Sequence, residues 1–197
     1  MESNPINTSK SHHKPWGKIA VIVGVIILLS CPVVFLSINM AKVYLFLGRV
    51  NLITERIDPA MAYYDKALKL NPQAKEAYLG QCFIHNRKEQ YPLAVSSCSA
   101  ALEIDQRYAG AYISRGYAYQ KLGQLDLAIK DFTEAIDISP NSYISYVDRG
   151  LAYKELRKYD QAIADFARAI EIRPKDKNNY VNRGIVYVVH EQYDLAI

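Results

Sequence analysis

Cys82 and Cys98, His85 and His190, and the arginines and aspartates Arg115, Asp131, Arg149 and Asp165 are the residues whose types could carry chemistry. Two thiols can form a disulfide, an imidazole can move a proton or bind a metal, and a guanidinium facing a carboxylate forms a charge-assisted pair. Their spacing narrows these options sharply. There is no HExxH, no CxxC, no glycine-rich phosphate cradle and no G-x-S-x-G in the chain. His85 and His190 are isolated from each other, and His85 stands in a column held by tyrosines in the units that follow, which predicts a packed core histidine and not a ligand. No catalytic, cofactor-binding or metal-ligating residue is assigned, and the chain is expected not to be an enzyme.

The charged residues follow a different logic. Arg115 and Arg149 occupy a column that is Leu47 and Gln81 earlier in the chain, while Asp131 and Asp165 occupy one that is Tyr63 and Ser97. Arginine and aspartate arrive together and vanish together. This predicts structural ion pairs Arg115–Asp131 and Arg149–Asp165, partly buried between two helices, with Arg183 lacking a matching partner. The competing reading places these arginines on a solvated outer face.

These columns exist because the chain repeats. Tyr44, Tyr78, Tyr112, Tyr146 and Tyr180 recur every 34 residues, and Ala60, Ala94, Ala128, Ala162 and Ala196 keep the same interval. A constant period of that length means one supersecondary unit stacked along an axis. Small residues recur at Gly48, Cys82, Gly116, Gly150 and Gly184, and bulky ones at Tyr64, Phe132 and Phe166, with Cys98 standing in that row. Within a unit the apolar spacing of three and four gives two helices, as in Tyr112, Gly116, Tyr119 and then Ala128, Ile129, Phe132, Ala135, Ile136. Gly123 suits a helix C-cap. Asp58, Asp126, Asp160 and Asp194 are expected to cap the second helices, with Pro59 in a first turn. Pro72, Pro140 and Pro174 close units, and Gln106 replaces the proline once.

The small, aromatic, alanine and closing-proline columns resemble the tetratricopeptide repeat from about Ala41 to Ile197. The resemblance implies an all-α, right-handed solenoid of helix-turn-helix units near 41–74, 75–108, 109–142 and 143–176, with an incomplete unit at 177–197. It also implies a concave groove lined by first helices, here Leu79, Phe83, Ile113, Tyr117, Val147, Leu151, Val181 and Ile185, flanked by Leu45 and Arg49. These rows are apolar for a surface facing water, which suggests docking of a peptide segment or partner helix; the alternative is that they pack against neighbouring first helices. The lysines, asparagines and arginines that clamp chaperone tails in some relatives are missing from these columns, so that recognition is not expected. The Lys75–Tyr108 unit departs most from the pattern. Its cysteines sit on columns where paired helices face each other and read as small core residues, the other option being a disulfide formed in an oxidising compartment.

A different segment precedes the repeats. No charged residue lies between Ile19 and Ala41, and about 20 apolar residues suffice to cross a bilayer. With Trp16 and Lys18 at one edge and Lys42 at the other, a single transmembrane helix is expected over 18–40, after a disordered tail over 1–17. Pro32 marks a possible kink. The run is longer than a signal-peptide core, and Ser37, Ile38, Asn39 and Met40 make a poor cleavage site. Lys10, Lys14 and Lys18 nearly balance Lys42, Arg49 and Arg56, leaving only a weak lean toward repeats on the extracytoplasmic side.

The chain holds 24 basic and 20 acidic residues, spread evenly. No clustered basic stripe is evident, so no nucleic-acid partner is expected. Expected partners are a protein and lipid around the anchor, with further copies of the chain as the alternative. Ile185, Val186, Val188 and Val189 would be poorly covered at the last unit, which points to continuation past Ile197 or cover by another chain.

Overall fold

The computed structural model describes residues 36, 37 and 39–190. The expected tail, most of the membrane segment, and the Asp194 and Ala196 positions lie outside the described residues. Met40–Ile197 forms one compact unit, and among its described residues every regular element is a helix. Helix α1 spans 39–53, α2 Ile57–Leu70, α3 Lys75–Arg87, α4 Tyr91–Ile104 and α5 Ala109–Lys121. Then come α6 Leu125–Ile138, α7 Tyr143–Glu155, α8 Tyr159–Ile172 and α9 Lys177–Val189. Among the described residues no helix is long and apolar enough to cross a membrane.

Short turns force antiparallel neighbours. Helices α3 and α4, α5 and α6, and α7 and α8 form tight pairs, and each second helix packs on the first helix of the next unit. First helices also touch in series, α3 on α5 and α5 on α7. That contact lines one face of the stack with first helices.

The core repeats with the sequence. Ala60, Ala94, Ala128 and Ala162 are fully buried, as are Ala67, Ala101, Ala135 and Ala169. Glycine supplies room for the rings. A Cβ placed on Gly116 would lie 2.7 Å from the Phe132 ring, and one on Gly150 3.0 Å from Phe166. Tyr64 fills a wedge between two units, since a Cβ on Gly48 would meet its ring at 2.6 Å and one on Gly80 at 2.3 Å. Truncating a buried ring of this kind costs about 3–5 kcal/mol.

One expectation is corrected in the turns. None of the first-turn aspartates Asp58, Asp126 or Asp160 caps its helix: the N-cap positions are Arg56, Gln124 and Lys158, with no side-chain cap bond. The aspartates lie two residues past the N-cap, inside the first turn, and favour the helix start only by charge. Gly123 does follow the end of α5 with φ of 73°, the left-handed conformation glycine adopts freely. The equivalent positions Glu55, Glu89 and Arg157 adopt the same conformation at φ of 62°, 58° and 59° without that freedom.

Candidate interaction groove

Between the paired helices, charge is placed with strict geometry. Arg115 Nε donates to Asp131 Oδ2 at 2.8 Å and its Nη2 to Asp131 Oδ1 at 2.9 Å. Arg149 makes the same fork on Asp165, with both bonds at 2.8 Å. The aspartate side chains are only 4% and 7% exposed. Hydrogen bonding to these carboxylates raises both guanidinium pKa values above their ordinary range. Arg115 also lies 5.6 Å and 5.9 Å from the Tyr112 and Tyr119 ring centroids, and Arg149 is flanked likewise by Tyr146 and Tyr153.

A feature the sequence reading missed is that each arginine also reaches back one unit. Arg115 Nη1 donates to Ser99 Oγ on α4, and Arg149 Nη1 to Thr133 Oγ1 on α6, both at 3.0 Å. In the second unit Gln81 keeps only this backward bond, donating to Asp65 Oδ1 at 2.8 Å. The signal was present: Asp65, Ser99 and Thr133 are three polar acceptors in one column. Arg183 sits over the Tyr180 ring at 5.8 Å.

The cysteine and histidine expectations also change. Cys82 and Cys98 are joined by a disulfide within the second unit, not held as separate small core residues. They occupy the glycine and aromatic columns, so both side chains point at the same inter-helix space and bring their Cα atoms to 5.3 Å. His85 is not a core histidine. It is half-exposed, with Nδ1 2.9 Å from Gln90 Oε1, because the turn before α4 brings Gln90 alongside it.

The groove rows divide between surface and core. Phe83 and Tyr117 are 46% and 37% exposed, and Val181 and Ile185 are also exposed. Leu79 packs on the core around Cys82 and Cys98, and Val147 and Leu151 on that around Ala162 and Phe166. Phe83, Ile113 and Tyr117 converge on a cavity of about 280 Å³, completed by Asn86, Arg87, Ser114 and Asp148. Leu79 and Phe83 line an adjoining hollow with Arg49 and Tyr64. Val147 lines another with Asp148 and Asn182, and Val181 and Ile185 a separate one on α9. The polar members Asn86, Ser114 and Asp148 were not foreseen; the change from Gly80 to Ser114, Asp148 and Asn182 along one column hinted at the latter two.

Serial first helices, a ring seated on glycine in each of three units, and an open apolar-walled groove define a helical-repeat solenoid of the interaction type. Residues 41–74, 109–142 and 143–176 match the tetratricopeptide repeat, together just over half of the chain, and the chain belongs to that family. Among solved structures it is similar to MamA, at 24% identity and a TM-score of 0.71, covering 80% of this chain and 86% of that one. It is also similar to PilF of Pseudomonas aeruginosa, at 18% identity and a TM-score of 0.74, covering 81% and 73%. These two likenesses show the fold. YrrB, described as a tetratricopeptide-repeat protein with an unusual peptide-binding site, shares 25% identity with a TM-score of 0.66, covering 78% and 79%. No curated protein matches the chain by sequence. Tetratricopeptide-repeat proteins are in general protein-interaction scaffolds.

Proposed function

We propose that this chain is a membrane-anchored scaffold that recruits partner proteins through the face formed by its first helices, and that it performs no catalysis itself. The observation that carries the reading is the cavity walled by Phe83, Ile113 and Tyr117 on α3 and α5. Exposed rings beside an open cavity are the usual anchor points of a protein contact. Support for the anchor is the uncharged stretch from Ile19 to Ala41. Support for repeats on the extracytoplasmic side is the Cys82–Cys98 disulfide, because such bonds persist in oxidising compartments.

A photo-crosslinking amino acid in place of Tyr117 tests the groove, with exposed Lys130 on α6 as the control position. Discrete adducts from position 117 in intact membranes, and none from 130, are expected; equal labelling would remove the groove from consideration. Protease protection of sealed vesicles tests the side, and repeats protected in right-side-out cytoplasmic vesicles would reverse the assignment.

A second reading, self-association, is favoured by the exposed apolar residues Val181, Ile185, Val188 and Val189 on α9. Adducts of the size of two copies, and a mass that rises with concentration, distinguish it.

A further inference from the structure

The cavity beneath Phe83 and Tyr117 contains a carboxylate that forms no ion pair among the described residues. Asp148 lies on α7 between two hollows, and among the described residues it makes no ion pair and no side-chain hydrogen bond. Burial pushes its carboxyl up to about 6. Asp148 is half-buried, and a partly desolvated carboxylate without a partner carries a cost that is offset when a cation arrives.

The surrounding groups decide what kind of cation fits. Asn86 Nδ2 donates to the Ser114 carbonyl at 2.8 Å, which fixes the orientation of the amide. Its Oδ1 is enclosed and accepts no hydrogen bond among the described residues. The Phe83 and Tyr117 rings and Ile113 supply an apolar wall. Among the charged groups on neighbouring elements, Lys121 on α5 places its Nζ 5.3 Å from the Tyr117 ring centroid. Arg87 on α3 is turned to Glu55, with Nη2 3.4 Å from Oε1. Tyr117 belongs to α5, Tyr143 to α7 itself, and Asp176 precedes α9 on the side of the second hollow. Acceptors and aromatic faces with a negative charge at one end suit a group that is apolar along its stem and cationic at its tip.

We propose that this cavity is a subsite for a basic side chain of an extended peptide, with its cationic tip on Asp148 and its aliphatic stem between Phe83, Ile113 and Tyr117. The proposal rests on the groove reading above and specifies the occupant that reading leaves open. A neutral or acidic side chain would leave the Asp148 charge uncompensated or opposed, so the subsite selects by charge as well as by shape.

The test uses the full chain in detergent and a random peptide library displayed on phage. Selected peptides should be enriched in lysine or arginine at one position. Replacing that residue by methionine in a selected peptide, or making Asp148→Asn, should each weaken binding about tenfold or more, the size of one charge-assisted hydrogen bond. Combining the two changes should add little further loss, since both delete the same contact. Arg87→Gln should leave binding equal or tighter. Peptides selected without a basic preference, or additive losses in the combined case, would overturn the subsite while leaving the groove reading intact. Selection of no peptide at all would overturn both.

Discussion

The second and third units close the same helix pair at the same two columns, one with a covalent bond and the other with a ring. In the third unit Phe132 lies against Gly116; in the second, Cys98 and Cys82 take those places and are bonded. The adjacent charge columns differ in parallel. The third unit holds a forked Arg115–Asp131 pair, while the second carries Gln81 and Ser97 there. A sulfur pair fills less space than a phenylalanine ring, so the second unit gives up volume and gains a chain constraint. One geometry is thus kept by two chemistries with different vulnerabilities. The second unit answers to reductant, and the third to the loss of a charge.

The sharpest way to break that contrast is to remove Asp131. Asp131→Ala strands the Arg115 guanidinium between helices and should destabilise the third unit by about 3–5 kcal/mol. Converting both positions to the first unit's types, Arg115→Leu with Asp131→Tyr, should cost far less. Hydrogen exchange resolved along α5 and α6 reads this locally, as repeat arrays do not unfold as a single block. Equal losses in the single and double variants would mean the pair contributes by charge bookkeeping that neighbours do not share.

Reduction of the disulfide comes next, with an expected loss of about 2–4 kcal/mol confined to α3 and α4. Cys82→Gly with Cys98→Phe should recover much of it without any covalent bond, and the recovered protein should no longer respond to reductant in denaturant titrations. A smaller effect is expected for Gly116→Ala, where the new methyl presses on the buried Phe132 ring and costs about 1–3 kcal/mol; Gly123→Ala, which meets no neighbour, separates this packing cost from backbone strain. Smallest is Arg157→Gly, which relieves a left-handed residue at φ of 59° and should stabilise the fourth unit by about 0.5–1 kcal/mol. Thermal midpoints of the paired variants check its sign.

The two-helix period was legible because tertiary packing in a solenoid is written as columns. Glycine opposite an aromatic residue means little once but identifies a packing contact when it recurs. The arginine–aspartate geometry followed for the same reason. Covalent pairing of Cys82 and Cys98 did not, because a small residue in an aromatic column reads as an irregularity until distances are known. Helix caps were misplaced by two residues, within the margin by which helix ends commonly shift. The cavity around Asp148 was hidden for a subtler reason. Its lining comes from first helices of three successive units, whereas the columns were read mainly for their aliphatic and aromatic members.

The bond between Cys82 and Cys98, 16 positions apart, closes a loop of chain entirely within one unit, whereas the backward hydrogen bonds of the two arginines run across unit boundaries. If a docked partner pulls on the repeats against a fixed end, the chain between Cys82 and Cys98 cannot spool out while the rest can. At roughly 3.3–3.6 Å per extended residue, about 50 Å of slack is withheld until a reductant arrives. Molecular reach under tension is therefore set by redox conditions as much as by the number of helices.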